Sequence, residues 1–163
     1  MLEKLNEKRI ELKALILLNY RPFKSLCLCN DILIFCYGGI GNIVMMFDLI
    51  TLLRTSGKNV TCVYFNNSIR DLLEYRYRGI TLLKINELKP IYTVCVCNFL
   101  NLKKEIINKI IDLRIVHRMG HEGKFMEVFN YLIPFNNIEK ETNQNIKFYQ
   151  LIHKWNEIND MSE

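Results

Sequence analysis

The sequence predicts an α/β fold on one doubly wound parallel sheet, and three observations carry that prediction. Apolar, β-rich runs of strand length recur along the chain, with helical patterns and short connections between them. The clearest runs are near-continuous in apolar residues, as strands covered on both faces are. One of them, Ile32-Leu33-Ile34-Phe35-Cys36-Tyr37, passes directly into Gly38, Gly39 and Gly41 and then into a helical pattern. A strand, a glycine turn and a helix make the first half of a βαβ unit.

Taken in order, residues 2–19 read as a helix, with Leu2, Leu5, Leu12 and Ile16 forming an interrupted stripe among Glu and Lys. Pro22 ends it. This N-terminal helical extension, residues 1–23, packs on the domain or lies against a membrane, and its mixed charge weighs against the membrane. Residues 23–31 are ambiguous, with Leu26-Cys27-Leu28 either a short strand or an apolar loop. After strand 32–37, a long helix from Asn42 carries Leu49, Leu52 and Leu53 and stops at Ser56-Gly57. Val60–Phe65 is a second strand, and Asn67 or Ser68 caps a short helix around Asp71–Tyr75. Strands over 80–85 and 91–97 flank a polar loop through Pro90. An amphipathic helix over 99–112 turns Leu102, Ile106, Ile107, Ile110 and Ile111 inward, and Leu113–Val116 reads as a fifth strand. Beyond it come a basic, glycine-bearing loop over 117–124, an apolar segment Phe125–Phe135 and a last helix from about Glu139 to Trp155. No repeat or linker separates a second domain, so residues 24–163 form one.

At 163 residues and 50% hydrophobic, the chain suits one domain with a sizeable core. Lys and Arg exceed Asp and Glu by 22 to 17. That excess is compatible with a phosphorylated or membrane-surface partner and too weak to argue nucleic acid. Asp48 interrupts the best apolar stretch, so no membrane span is predicted. The N-terminus has acidic residues and no apolar core, unlike a secretory signal. A cytoplasmic chain, at most peripheral at the inner face of the membrane, is expected.

In that compartment the six cysteines remain thiols. The Cys27/Cys29 and Cys95/Cys97 pairs have CxC spacing, where metal sites favour CxxC, and they read as buried small hydrophobes. His117 and His121 are four apart, a zinc spacing on a helix, but Gly120 and Gly123 make a regular helix doubtful there. No metal and no cofactor is expected.

The glycine turn lets the backbone bend sharply and a ligand come close. The helix amides behind it suit an anionic or hydroxyl-rich ligand. The turn lacks the dinucleotide fingerprint, since Val44 stands where its third glycine belongs and Asn66-Asn67 where its acid does. It lacks the Gly-Lys-Ser/Thr of a P-loop as well. A tight turn that binds nothing remains an equal alternative.

Tyr37-Gly-Gly-Ile-Gly-Asn-Ile-Val-Met-Met-Phe-Asp-Leu-Ile-Thr-Leu-Leu-Arg54 resembles the opening of family-9 glycosyltransferases, the lipopolysaccharide heptosyltransferases and their relatives. Arg114-Ile-Val-His-Arg-Met-Gly120 is similar to that family's later strand end. Glu141-Thr-Asn-Gln-Asn145, followed by Phe148 and Leu151, is similar to its His-Glu-x-x-x-Asn-Leu segment. The resemblance spans residues 32 to about 152 and covers the N-terminal, acceptor-binding half of a two-domain enzyme with Rossmann-like halves. With the crossover rule, it implies a strand order of 3-2-1-4-5 with strand 32–37 central.

The resemblance also implies a site. Gly38, Gly39 and Gly41 shape an acceptor pocket, and Asn42 takes the position of the family's Asp base. An amide holds a hydroxyl but accepts no proton at neutral pH. Lys140 replaces the His of the later segment. Arg114, Arg118 and Lys124 are the basic residues placed to meet acceptor phosphates or carboxylates, with Arg118 and His121 on the rim of the 38–42 turn; an ordinary solvated basic loop is the equal alternative. The partner implied is a glycan or glycolipid acceptor. The C-terminal donor domain has no room in the chain, so a separate chain supplies it or the gene is shortened. Three functions follow: an acceptor-binding domain for sugar transfer onto lipopolysaccharide or another surface glycan, a non-catalytic sugar-binding or scaffolding module, and, disfavoured, a nucleotide-binding domain.

Overall fold

Strand β1, Asp31–Cys36, has five consecutive residues without exposed surface, and their side chains part alternately to two sides. Ile32, Ile34 and Cys36 enter one core; Leu33 and Phe35 enter the other. A strand with two apolar faces is stable only in the middle of a covered sheet, and β1 lies there. The computed structural model describes residues 3–9, 12, 26–99, 102–123, 126–135 and 140–160, without the side chains of Cys27 and 154–160.

The sheet has six strands, all parallel: β1, β2 (Asn59–Tyr64), β3 (Thr81–Leu83), β4 (Val94–Val96), β5 (His117–His121) and β6 (Tyr131–Ile133). Their order is β3-β2-β1-β4-β5-β6, the expected order with a strand added at the far edge. The chain switches direction between β1 and β4, which opens a crevice beyond the strands' carboxyl ends.

Helices α1 (Ile40–Met45), α2 (Phe47–Thr55), α3 (Asn67–Arg76) and α5 (Glu141–Asp160) contribute to the first core; α4 (Lys104–Asp112) covers the second. Ile106, Ile107 and Ile110 are fully buried, as their spacing requires. Leu26–Leu28, ambiguous in the sequence, is a single 3-10 turn with Leu26 buried. Residues 3–9 are helical, with Glu3 and Glu7 reaching Lys104, and most of the 1–23 extension lies outside the described residues.

Three expectations are corrected. The long helix from Asn42 is two helices, broken at Met46. The second does end as expected. Gly57, at φ +82°, donates to Arg54, and Lys58 donates to Leu53, the Schellman pattern. Helix α3 is capped by Asn66 rather than by Asn67 or Ser68; its Oδ1 accepts from the Ile69 amide at 2.9 Å.

The third correction is the largest. Residues 113–116 are no strand, and the fifth strand is the segment expected to be a loop. Arg114 takes φ +52° after α4, its amide donates to Ile111, and the Ile115 amide donates to Ile110. This is a second Schellman closure, with arginine in the place usually held by glycine. Ile115 is apolar because it folds back onto α4, sharing a core cluster with Ile110.

Candidate functional site

A cleft of about 300 Å³ opens in the β1/β4 crevice, lined by Tyr37, Gly38, Asn42, Asn98, Phe99, Phe135 and Glu141. Each element delivers its residue by ending or beginning there. β1 runs out into Tyr37 and Gly38, β4 into Asn98 and Phe99, and β6 into Phe135, while α5 starts with Glu141.

Of the three glycines, only Gly38 needs to be one. It sits at φ +123°, and a Cβ there would stand 2.7 Å from Asn42 Nδ2. The Gly38 turn and the Asn42 amide are therefore set against each other. Gly39 and Gly41 face open space, which leaves the approach to the turn unobstructed. Helix α1 behind them is six residues long, so its aligned dipoles sum to little, and the anion preference expected of a long helix is not built.

Asn98 is 7% exposed. Its Nδ2 donates to Asn145 Oδ1 at 3.4 Å, and Asn145 Nδ2 donates to the Met45 carbonyl at 3.0 Å. The relay ties β4, α5 and α1 together at the cleft wall. Asn98 Oδ1 has no hydrogen-bond partner among the described residues. A buried acceptor left so costs about 1–3 kcal/mol, and such atoms are rare in folded proteins. Tyr37 meets Phe99 at 5.2 Å, and Lys103 sets its ammonium 4.8 Å from the Tyr37 ring centre.

Two of the basic residues expected around this site, Arg118 and Arg114, lie elsewhere. Arg118 is 1% exposed, and its guanidinium is spent on carbonyls: Nε donates to Val128 at 2.6 Å, and Nη1 to Ile115 at 2.7 Å and Val116 at 3.0 Å. Ile115 and Val116 precede β5, so the side chain points away from the carboxyl edge and is on no rim. Burial lowers the Arg118 pKa. Arg114 is exposed at the end of α4, by the amino end of β5 and the opposite edge of the sheet. Lys124 lies outside the described residues.

The histidines also serve the fold. His117 Nδ1 meets Tyr131 OH at 3.0 Å, and His121 Nδ1 meets the Ile133 carbonyl at 3.0 Å, each joining β5 to β6. His121 is buried behind the cleft, its ring edge-on to Phe135 and Phe148, and burial lowers its pKa. Among the described residues, no group of three or more His, Cys, Asp or Glu is placed to hold a metal ion. Cys29, Cys36, Cys62, Cys95 and Cys97 are buried thiols. No helix among the described residues is long and apolar enough to cross a membrane.

The sequence alone points to Gly38 and Asn42 and carries Tyr37 and Glu141 within the family-like motifs, whereas Asn98, Phe99 and Phe135 emerge only in the structure. The available signal was modest: a polar residue directly after the apolar run of the fourth strand marks a strand's carboxyl end in a parallel sheet.

The chain matches no family model, no curated protein and no solved structure. The likeness to family-9 glycosyltransferases therefore rests on the quoted residues alone.

Proposed function

We propose that this domain binds a glycan in the β1/β4 cleft, in the manner of a glycosyltransferase acceptor half. The observation that carries the reading is the unpaired, buried Asn98 Oδ1 in a cleft that also presents the Asn42 amide, the Glu141 carboxylate and the rings of Phe99 and Phe135. A sugar hydroxyl both donates and accepts, and amides match it on both counts. A sugar's C–H faces pack against aromatic rings, and a small number of placed polar groups on an apolar lining is the usual make-up of a ligand pocket.

Charge narrows the ligand. Among the described residues, no arginine or lysine is on the cleft lining, where Glu141 is the one carboxylate. The Lys103 ammonium beside the cleft is engaged with the Tyr37 ring. Arg118 is committed to backbone carbonyls. An uncharged saccharide fits this lining better than the phosphate- or carboxylate-bearing acceptor that the family resemblance implies.

Saturation-transfer NMR with neutral monosaccharides and their phosphorylated counterparts tests the reading. Neutral sugars are expected to bind, with Asn98→Ala and Phe135→Ala each weakening binding roughly tenfold, the equivalent of one lost hydrogen bond or ring contact. Binding of the phosphorylated sugars alone, or of no saccharide at all, overturns it.

A further inference from the structure

A second groove, of about 550 Å³, lies along the same carboxyl edge beyond β2 and β3. It is lined by Tyr64, Phe65, Asn66, Asn67, Lys84 and Asn86, with Ile85 and Glu105 beside them. Asn66 Oδ1 is taken by the Ile69 amide, while the side chains of Asn67 and Asn86 are exposed. Lys84 and Glu105 carry opposite charges, so the groove favours neither anion nor cation. Its chemistry repeats that of the first cleft: side-chain amides beside aromatic rings.

The two spaces share an aromatic wall. Phe65 lines the second groove and sets its ring edge-on to Tyr37 of the first cleft, with centroids 5.4 Å apart and planes at 88°. Tyr37 then meets Phe99 at 5.2 Å. One strip of rings runs from the first cleft to the second groove, with amides at both ends. The first cleft is small, at the lower end of the roughly 300–1,000 Å³ usual for ligand pockets. A ligand longer than one sugar must leave it, and the strip of rings leads toward β2 and β3.

We propose that the two clefts are adjoining subsites for one neutral oligosaccharide, whose end unit sits at Asn98 and whose further units cross the Tyr37–Phe65 strip to Asn67 and Asn86. This rests on the glycan reading above and adds the ligand's length and its path.

The test is an array of neutral hexose and N-acetylhexosamine oligomers, graded from mono- to pentasaccharide, read with the full chain. Affinity is expected to rise about tenfold or more from the monosaccharide to the longer oligomers, as a second set of contacts adds to the first. Asn86→Ala and Phe65→Ala should each remove most of that gain. Asn86 is an exposed side chain, so its variant remains informative even where Phe65→Ala disturbs the strip. Monosaccharide binding with no gain for longer oligomers, or a gain that survives Asn86→Ala and Phe65→Ala alike, overturns the second subsite and leaves the first cleft standing. Failure of every saccharide to bind overturns both.

Discussion

Arg118 and His121 are polar side chains whose neighbours come from distant segments. The Arg118 fork bridges Val128 on one side and Ile115 on the other. Asn130 supports the same turn, its Nδ2 donating to Val116 at 2.9 Å while its Oδ1 accepts from the Arg118 amide at 2.7 Å. Arg118→Met should therefore cost about 1–3 kcal/mol, because the Ile115 and Val128 carbonyls lose their guanidinium partner inside the fold. Arg118→Lys should not rescue it, since one compact ammonium cannot span two carbonyls as a planar fork does. Urea denaturation midpoints of the three proteins decide this. His121 sets a pH dependence. Burial lowers its folded pKa, with the Ile133 carbonyl opposing and Lys147 reinforcing. Above the unfolded value of about 6.5, both states are neutral and the slope is flat. As pH falls through that value the unfolded chain takes the proton first, so stability drops until the depressed folded value is passed. Burial, and secondarily Lys58, pushes His153 the same way. Thermal unfolding between about pH 7.5 and pH 5 should show the falling midpoint, and His121→Gln should flatten part of it.

At the scale of the element, α4 and β5 show how one helix end misdirects a sequence reading. Leu113-Arg-Ile-Val116 is apolar and β-branched, which suits a strand, and nothing local announces a helix stop without glycine. The Schellman bonds of Arg114 and Ile115 consume those residues as a cap. A non-glycine residue in the left-handed region costs roughly 1–2 kcal/mol. Arg114→Gly should raise stability by about 1 kcal/mol, allowing for the extra freedom glycine has when unfolded. A lower denaturation midpoint would show instead that the arginine side chain contributes more than its backbone costs. The strand β5 was illegible for the complementary reason. His-Arg-Met-Gly-His carries three ionisable side chains, and only their pairing with Tyr131, Val128 and Ile133 permits burial.

For the molecule as a whole, the proposed function separates binding from transfer. Moving a sugar requires the donor's anomeric carbon to be held against the acceptor oxygen, and such positioning supplies roughly 7–11 kcal/mol in favourable cases. The described residues form one sheet with one crevice at its direction switch, and that crevice is the proposed glycan site. Asn42 lines it at the position where the family resemblance puts a base, and losing a general base commonly costs on the order of 10²–10⁴ in rate. These 163 residues alone should therefore show no saturable binding of nucleotide-sugars by calorimetry and no measurable transfer. Transfer appearing on addition of a separately expressed donor domain, and rising with Asn42→Asp, would assign the domain to an enzyme. Robust transfer by the chain alone would overturn the argument.

What the sequence determined by itself was the parallel sheet, Ile32–Cys36 as one of its doubly covered strands, and the glycine turn at that strand's end. These follow from apolar runs, periodicity and a backbone requirement, all of which are local properties. Tertiary structure decided the fate of the polar residues. Whether Arg118 faces a ligand or the interior depends on where the carbonyls of Ile115, Val116 and Val128 lie, and two of those three arrive by a helix end. The grouping of Asn42, Asn98 and Glu141 is likewise invisible in one dimension, because one strand ends and two helices begin at the same edge of the sheet. A buried polar group is defined by its surroundings, and those surroundings exist only once the chain has folded.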